Sequence, residues 1–374
     1  MKIAILKERA SGETRVAATP ETAKKFASLG CTVAVEAGAG VIASITDDAY
    51  VEAGVTVADA AATVKDADII LGIQAPDSAL LAGAKPGAWV AALFDPFTKR
   101  DVVDAYAAAG YEALSMEFMP RITRAQSMDV LSSQSNLAGY KAVLAAADAY
   151  GRAFPMMMTA AGTVQAARAF IMGVGVAGLQ AIATARRLGA QVSATDVRSA
   201  TKEQIQSLGA KAIFVENVAG IEGEGSGGYA TEMSEEYQKA QAELVSSHIA
   251  KQDIVITTAL IPGRAAPRLI TDAQIATMKP GSVIFDLAVA QGGNVEGSVA
   301  DEVVVRHGVK IIGYANTPAA LPADASALFS RNHYNFLSAF WDKETGKPVL
   351  DEEIGNAIRL TQGGKVVNER LLGA

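Results

Sequence analysis

The stretch from Arg168 to Asp196, RAFIMGVGVAGLQAIATARRLGAQVSATD, constrains this chain more than any other. An apolar, strand-like run (Ala169 to Met172) enters Gly173-Val174-Gly175-Val176-Ala177-Gly178. An alanine-rich helical segment follows, then a second strand-like run (Gln191 to Thr195) that ends on Asp196. Each part has a physical job. Gly173 permits a tight turn, Gly175 lets the backbone approach a pyrophosphate, and Gly178 allows close helix–strand packing. The pyrophosphate then lies against the free N–H groups and positive end of the helix. Asp196, about 20 residues on, is placed to accept hydrogen bonds from ribose hydroxyls, which selects NAD over NADP. A bare GxGxxG means little, and a glycine-rich turn in an α/β core is the plain alternative. Strand, glycines, helix, strand and acid in this order mark a dinucleotide site.

At 374 residues the chain predicts two domains, since single cores seldom grow past roughly 250–300 residues. Half the residues are hydrophobic and few are aromatic, which suits parallel sheets covered by alanine-rich helices. A formal charge of −7 argues against nucleic acid or an anionic membrane as a direct partner. No apolar run approaches the ~18 residues needed to span a bilayer, so no direct membrane span is expected. Met1-Lys-Ile-Ala-Ile begins a strand at once, without the layout of a signal peptide. The lone Cys31 excludes an internal disulfide, fits a reducing cytoplasm and reads as a small buried hydrophobe. His248, His307 and His333 are too scattered to suggest a metal site.

Residues 1–131 read as repeated strand–helix units, with strands at Lys2 to Leu6, Thr32 to Val35, Asp68 to Ile73, Ala88 to Phe94 and Tyr111 to Leu114. Such alternation implies a parallel sheet. Ser132 to Tyr150 reads as a long helix and Arg152 to Thr163 as a connector. A second α/β unit surrounds the fingerprint, and a helix from Asp324 to Trp341 returns the chain to the first. The expectation is therefore two Rossmann-like α/β domains with parallel sheets, joined by long helices, with a ligand cleft between them. The first comprises residues 1–131 and 320–374, the second 132–319. The segment Glu216 to Gln238, with five glycines and then Tyr229, is too long for an ordinary α/β connection. It reads either as a surface excursion or as a mobile lid carrying an aromatic.

A second constellation precedes the long helix. Between Met119 and Asn136, Arg121, Gln126, Asp129 and Ser132 offer a cation, an amide, a carboxylate and a hydroxyl. A nicotinamide carboxamide needs both a donor and an acceptor to fix its rotation. Helix capping by Ser132 or Ser133 would account for one serine but not for the rest.

With these pieces in place, the sequence resembles the NAD(H)-binding component of proton-translocating nicotinamide nucleotide transhydrogenase. The resemblance runs over essentially the whole chain: KERASGETRVAATP, RITRAQSMDVLSSQSNLAGY, MMMTAAGT, GVGVAGLQAIATA, TTALIPG, MKPGSVIFDLA and the glycine–tyrosine loop. It implies that Arg121, Gln126 and Asp129, with Ser132 beside them, position the nicotinamide and its ribose. It places the mobile-loop tyrosine at Tyr229 and the ribose-binding acid at Asp196. Further cofactor contacts are then expected at Val176, Ala177, Val197, Arg198, Gly228, Ala259 and Leu260. The resemblance also implies NAD(H) on this chain and NADP on an NADP-binding β subunit. It implies a homodimer, and a cytoplasmic position held on the inner face of the membrane by membrane-spanning partner subunits.

Alanine dehydrogenases share the fold and many motifs, including the Arg15 segment, but differ at residues that carry chemistry. They hold a lysine where this chain has Gln74, a catalytic histidine at the Asp95 position, and an aspartate where this chain has Ala290. Keto-acid chemistry needs a cation and a general acid–base group, and these three candidates are missing. Arg15 alone would bind an anion without turning it over, or make a structural ion pair. An alanine dehydrogenase-like enzyme and a non-catalytic NAD-binding protein are the competing readings. Transfer between two nicotinamides needs no acid, base or metal from the protein, only alignment of the reacting carbons at about 3–3.5 Å.

Overall fold

A computed structural model describes residues 1–215, 234–261 and 263–373. The chain divides into two compact units, Met1–Gln134 with Ala319–Ala374, and Ser135–Pro318. In the first unit, β1 (Lys2–Ile5), β2 (Thr32–Glu36), β3 (Thr56–Ala58), β4 (Ile69–Gln74), β5 (Trp89–Leu93) and β6 (Glu112–Ser115) form one sheet. Its order is β3-β2-β1-β4-β5-β6, parallel throughout, with Ile3 opposite Val33 on one side and Ile69 on the other. The central strands are apolar runs buried along nearly their whole length, as a sheet covered on both faces requires. The chain winds outward from β1 to β3, then returns to β4. That reversal puts a crevice beyond the ends of β1 and β4.

The second unit repeats the plan. After a short hairpin, β7 (Met157–Thr159) and β8 (Gly162–Val164), come β9 (Arg168–Met172), β10 (Gln191–Thr195), β11 (Lys211–Ala212), β12 (Ile254–Thr257), β13 (Val283–Asp286), β14 (Glu302–Arg306) and β15 (Val309–Gly313). The order β11-β10-β9-β12-β13-β15-β14 places the reversal between β9 and β12. Two details depart from the expected plan. The Arg152–Thr163 connector holds part of a hairpin, and the sheet carries one antiparallel edge, β14 on β15. The second follows from a two-residue link: His307 (φ 51) and Gly308 (φ 77) both take positive φ, which turns the strand straight back on itself.

Helix boundaries also move. The helix expected from Ser132 begins at Val130 and runs to Tyr150, and that expected from Asp324 to Trp341 is Pro322–Ala339. The segment expected as a loop as far as Gln238 is helical from Glu235, because Ser234 accepts a hydrogen bond from the Tyr237 amide and caps the Glu235–Ile249 helix. Cys31 is buried in the first unit's core, which pushes its thiol pKa up.

Candidate functional site

In the second unit, the fingerprint turn lies just past β9. Gly173 has φ +94, and a Cβ there would stand 2.6 Å from the Thr258 hydroxyl on the segment following β12. At Gly178 a Cβ would overlap the Gly173 carbonyl, whereas one at Gly175 would meet open space. The three glycines therefore serve three ends: a turn only glycine adopts readily, a helix packed onto that turn, and an open approach to the backbone. Gly175 is the N-cap of the Val176–Arg187 helix and offers no side chain, so the orphan N–H groups of the first turn keep their capacity for an anion. Val176 and Ala177 form that first turn; Ala177 is half-buried and Val176 exposed at the rim.

Asp196 ends β10 and is buried. Its carboxylate accepts the Val174 amide (2.7 Å), the Arg198 amide (2.9 Å) and two guanidinium bonds from Arg198 (2.9 and 2.8 Å). Burial alone would raise its pKa, but Arg198 and the backbone amides outweigh that and hold it below the usual carboxylate range. The acid is thus ionised and tied to the fingerprint turn itself. Arg198 covers the carboxylate that a ribose would need. Val197 beside it is half-buried.

Ala259 and Leu260 follow β12, across the reversal from the fingerprint. The Thr258 hydroxyl donates to the Gly173 carbonyl (2.9 Å). Asn294, fully buried, accepts from the Ala259 amide (3.1 Å) and donates to the Ala259 carbonyl (2.9 Å), clasping that residue's backbone from both sides. Asn294 is held in turn by Asp286, whose carboxylate also accepts the Ala288 and Val295 amides. Asn294 and Asp286 were invisible as site residues in the sequence, because each acts on backbone and belongs to no motif by spacing. Gly139 was missed for the same reason. A Cβ there would overlap the Ala177 carbonyl, so this glycine lets the long helix touch the first turn of the fingerprint helix.

The second constellation lies in the first unit. Thr123–Met128 forms a short 3-10 turn with Ala125 and Met128 buried, leaving Arg121 and Gln126 exposed. The Gln126 amide has no hydrogen-bond partner among the described residues. Asp129, not Ser132 or Ser133, caps the Val130–Tyr150 helix, accepting the Ser132 amide (2.9 Å) and hydroxyl (2.6 Å). A carboxylate serves here because it can accept both bonds at once. Asp129 and Ser132 therefore come together as a pair, a few residues from Gln126. Gly228 and Tyr229 lie outside the described residues.

A cavity of about 460 Å³ opens at the β1/β4 reversal of the first unit, lined by Glu8, Arg9, Gln74 and Asp77 among others. Glu8 accepts the Ile73 and Gln74 amides, and desolvation pushes its pKa up to about 7. Gln74 donates its amide to Glu13 (3.1 Å). Glu13 is buried, which alone would raise its pKa, but paired Arg15 more than reverses the effect. Arg15 is itself buried, bound to Glu13 through two bonds of 2.6 Å and to Gln134 at 2.8 Å. Its guanidinium is committed to structure. Asp95 is exposed, with φ 48. The three positions at which a keto-acid site would need charge or acid–base chemistry thus hold an amide, an exposed acid and an alanine.

Two family descriptions match this chain: "Alanine dehydrogenase/PNT, N-terminal domain" over residues 4–138 and "Alanine dehydrogenase/PNT, C-terminal domain" over residues 142–369. The chain is 54% identical over 381 residues to the first of the two polypeptides of NAD(P) transhydrogenase subunit alpha from Rhodospirillum rubrum, covering 100% of this chain and 99% of that one. A crystal structure of transhydrogenase from Sinorhizobium meliloti superposes with a TM-score of 0.86 at 50% identity, covering 99% of this chain and 100% of the other. Alanine dehydrogenase 1 of Staphylococcus aureus is 25% identical, over 99% of this chain and 96% of its own length.

Proposed function

The chain belongs to the alanine dehydrogenase/PNT family, and from that premise we propose that it is the NAD(H)-binding component of a proton-translocating NAD(P) transhydrogenase. Bound NADH supplies a hydride from its C4 carbon to NADP+ carried by a partner subunit. The chain's own residues bind, orient and exclude water. The Val176–Arg187 helix N-terminus holds the pyrophosphate. Asp196, with Val197 and Arg198 beside it, takes the adenosine ribose once Arg198 swings from the carboxylate. Arg121, Gln126, Asp129 and Ser132 fix the nicotinamide and its ribose, Ala259 and Leu260 contact the cofactor, and Gly228 with Tyr229 closes over it.

One observation carries the choice of transfer over amino-acid chemistry. Arg15, the cation shared with alanine dehydrogenases, is locked to Glu13 and Gln134, and Gln74 donates to the same Glu13. A site with ordered hydrogen-bonding groups, and no lysine or histidine at the keto-acid positions, suits proximity catalysis between two cofactors. No helix among the described residues is long and apolar enough to cross a membrane, and in this reading the coupled proton movement belongs to membrane-spanning partners. The component works as a homodimer, docked through those partners on the cytoplasmic face.

The test is hydride transfer from NADH to a spectrally distinct NAD+ analogue, with and without an NADP(H)-loaded transhydrogenase component. Transfer that requires both the component and NADP(H) is expected. NADH binding without transfer would defeat the reading, and turnover of NADH with pyruvate and ammonia by the chain alone would replace it.

A further inference from the structure

We infer that Asn332 is a positioning residue for hydride transfer, holding in one geometry the two segments that carry Gln126 and the Asp129–Ser132 pair. The inference rests on the function proposed above. Asn332 lies on the Pro322–Ala339 helix, nearly 200 residues beyond the loop in sequence, and is only 7% exposed. Its amide nitrogen donates to the Ser127 carbonyl at 2.8 Å, and its amide oxygen accepts the Ser133 hydroxyl at 2.7 Å. One carboxamide thereby bridges the residue next to Gln126 and the residue next to Ser132. Asn335, three positions on and so on the same helix face, donates a second bond to the Ser127 carbonyl at 3.0 Å.

The loop's other restraints are weaker. Within its backbone, the Asp129 amide reaches the Gln126 carbonyl only at 3.4 Å. Arg124 pairs with Asp351 and Glu353, but at about half exposure such ion pairs contribute little. Gln126 is exposed, and its amide has no partner among the described residues to set its direction. Its aim is therefore inherited from the backbone that Asn332 and Asn335 hold. A carbonyl gripped by two donors is a stiff anchor, because breaking either bond leaves a polar group poorly satisfied.

The experiment compares N332A, N335A, Q126A and the N332A/Q126A double variant. Transfer is measured at saturating NADH with the NADP(H)-loaded component, and NADH affinity is measured separately. N332A is expected to slow transfer on the order of 10–100-fold, as a displacement of about 1 Å would, with NADH affinity changed by less than about threefold. N335A should slow it less, since Asn332 still grips the carbonyl. In the Q126A background, N332A should add little further loss, because the two act through one geometry. Wild-type transfer by N332A, a rate loss matched by an equal affinity loss, or full additivity with Q126A would each overturn the inference. Should N332A not fold, N335A decides: slowed transfer at preserved affinity supports the inference, and an unchanged rate overturns it. Absence of transfer by the wild-type chain would defeat the functional reading, and this inference with it.

Discussion

His333 sits beside Asn332 on the Pro322–Ala339 helix, fully buried, with its ring edge-on to Phe329 at a centroid distance of 5.0 Å. Neither ring nitrogen has a hydrogen-bond partner among the described residues. Burial lowers its pKa from 6.5 to about 3, and the nearby Ala17 backbone offsets only part of that. The folded chain therefore keeps His333 neutral, while the unfolded chain takes up a proton below about pH 6.5. Stability contributed by this group is full above 6.5 and is lost progressively as pH falls toward 3. At pH 5, about 1.5 units below the unfolded value, the loss is about 2 kcal/mol at roughly 1.36 kcal/mol per unit. For a unit of this size that is about 4–8 °C in Tm. Both tryptophans, Trp89 and Trp341, belong to the first unit, so their fluorescence follows its unfolding alone. Between about pH 7.5 and pH 5, His333→Leu should lose about 2 kcal/mol less than the wild type in urea melts. Parallel pH profiles for the two chains would show that His333 is not held neutral, and the reasoning would fail.

Three further outcomes test the assignments. Asp196→Ala should weaken NADH binding by roughly 1–3 kcal/mol, the range for a lost charged hydrogen bond; unchanged affinity in titration calorimetry would remove its ribose role. Gln126→Ala should slow transfer on the order of 100-fold while changing NADH affinity far less, and a loss confined to binding would contradict its positioning role. Gly139→Ala must push the long helix off the Ala177 carbonyl, so NADH affinity should drop about tenfold or more, the equivalent of about 1.4 kcal/mol. Tryptophan-detected unfolding should stay as in the wild type, since the fault lies in the second unit; retained affinity would mean that the helix contact does not shape the site.

Two kinds of information divide along the length scale of the interactions involved. The β9–helix–β10 fingerprint was legible because every part acts within about 30 residues: Gly173 needs its φ, Gly178 its closeness to Gly173, and Asp196 its place at the end of the next strand. The parallel sheets were legible for a similar reason, since strands buried on both faces announce themselves as apolar runs. The antiparallel β14 escaped because Val303 and Val305 are exposed on an edge, and one apolar run does not say which way its partner points. Asp129 and Ser132 were visible as polar residues of one loop. That the acid caps the helix and takes the serine hydroxyl depended on where the helix begins, at Val130 rather than Ser132.

The sequence by itself determined the chemistry on offer: a dinucleotide turn with its acid, an amide-rich loop, and no lysine or histidine where keto-acid turnover would need them. Only the tertiary structure decided which of those groups are free to act. Arg15 reads as an available cation until Gln134, 119 positions away, closes its pairing with Glu13. Asn294 and Asn332 read as ordinary surface amides until folding buries them against the Ala259 and Ser127 backbone. Side-chain chemistry belongs to the residue, but the saturation of a hydrogen-bonding group depends on what the fold brings to it from far along the chain.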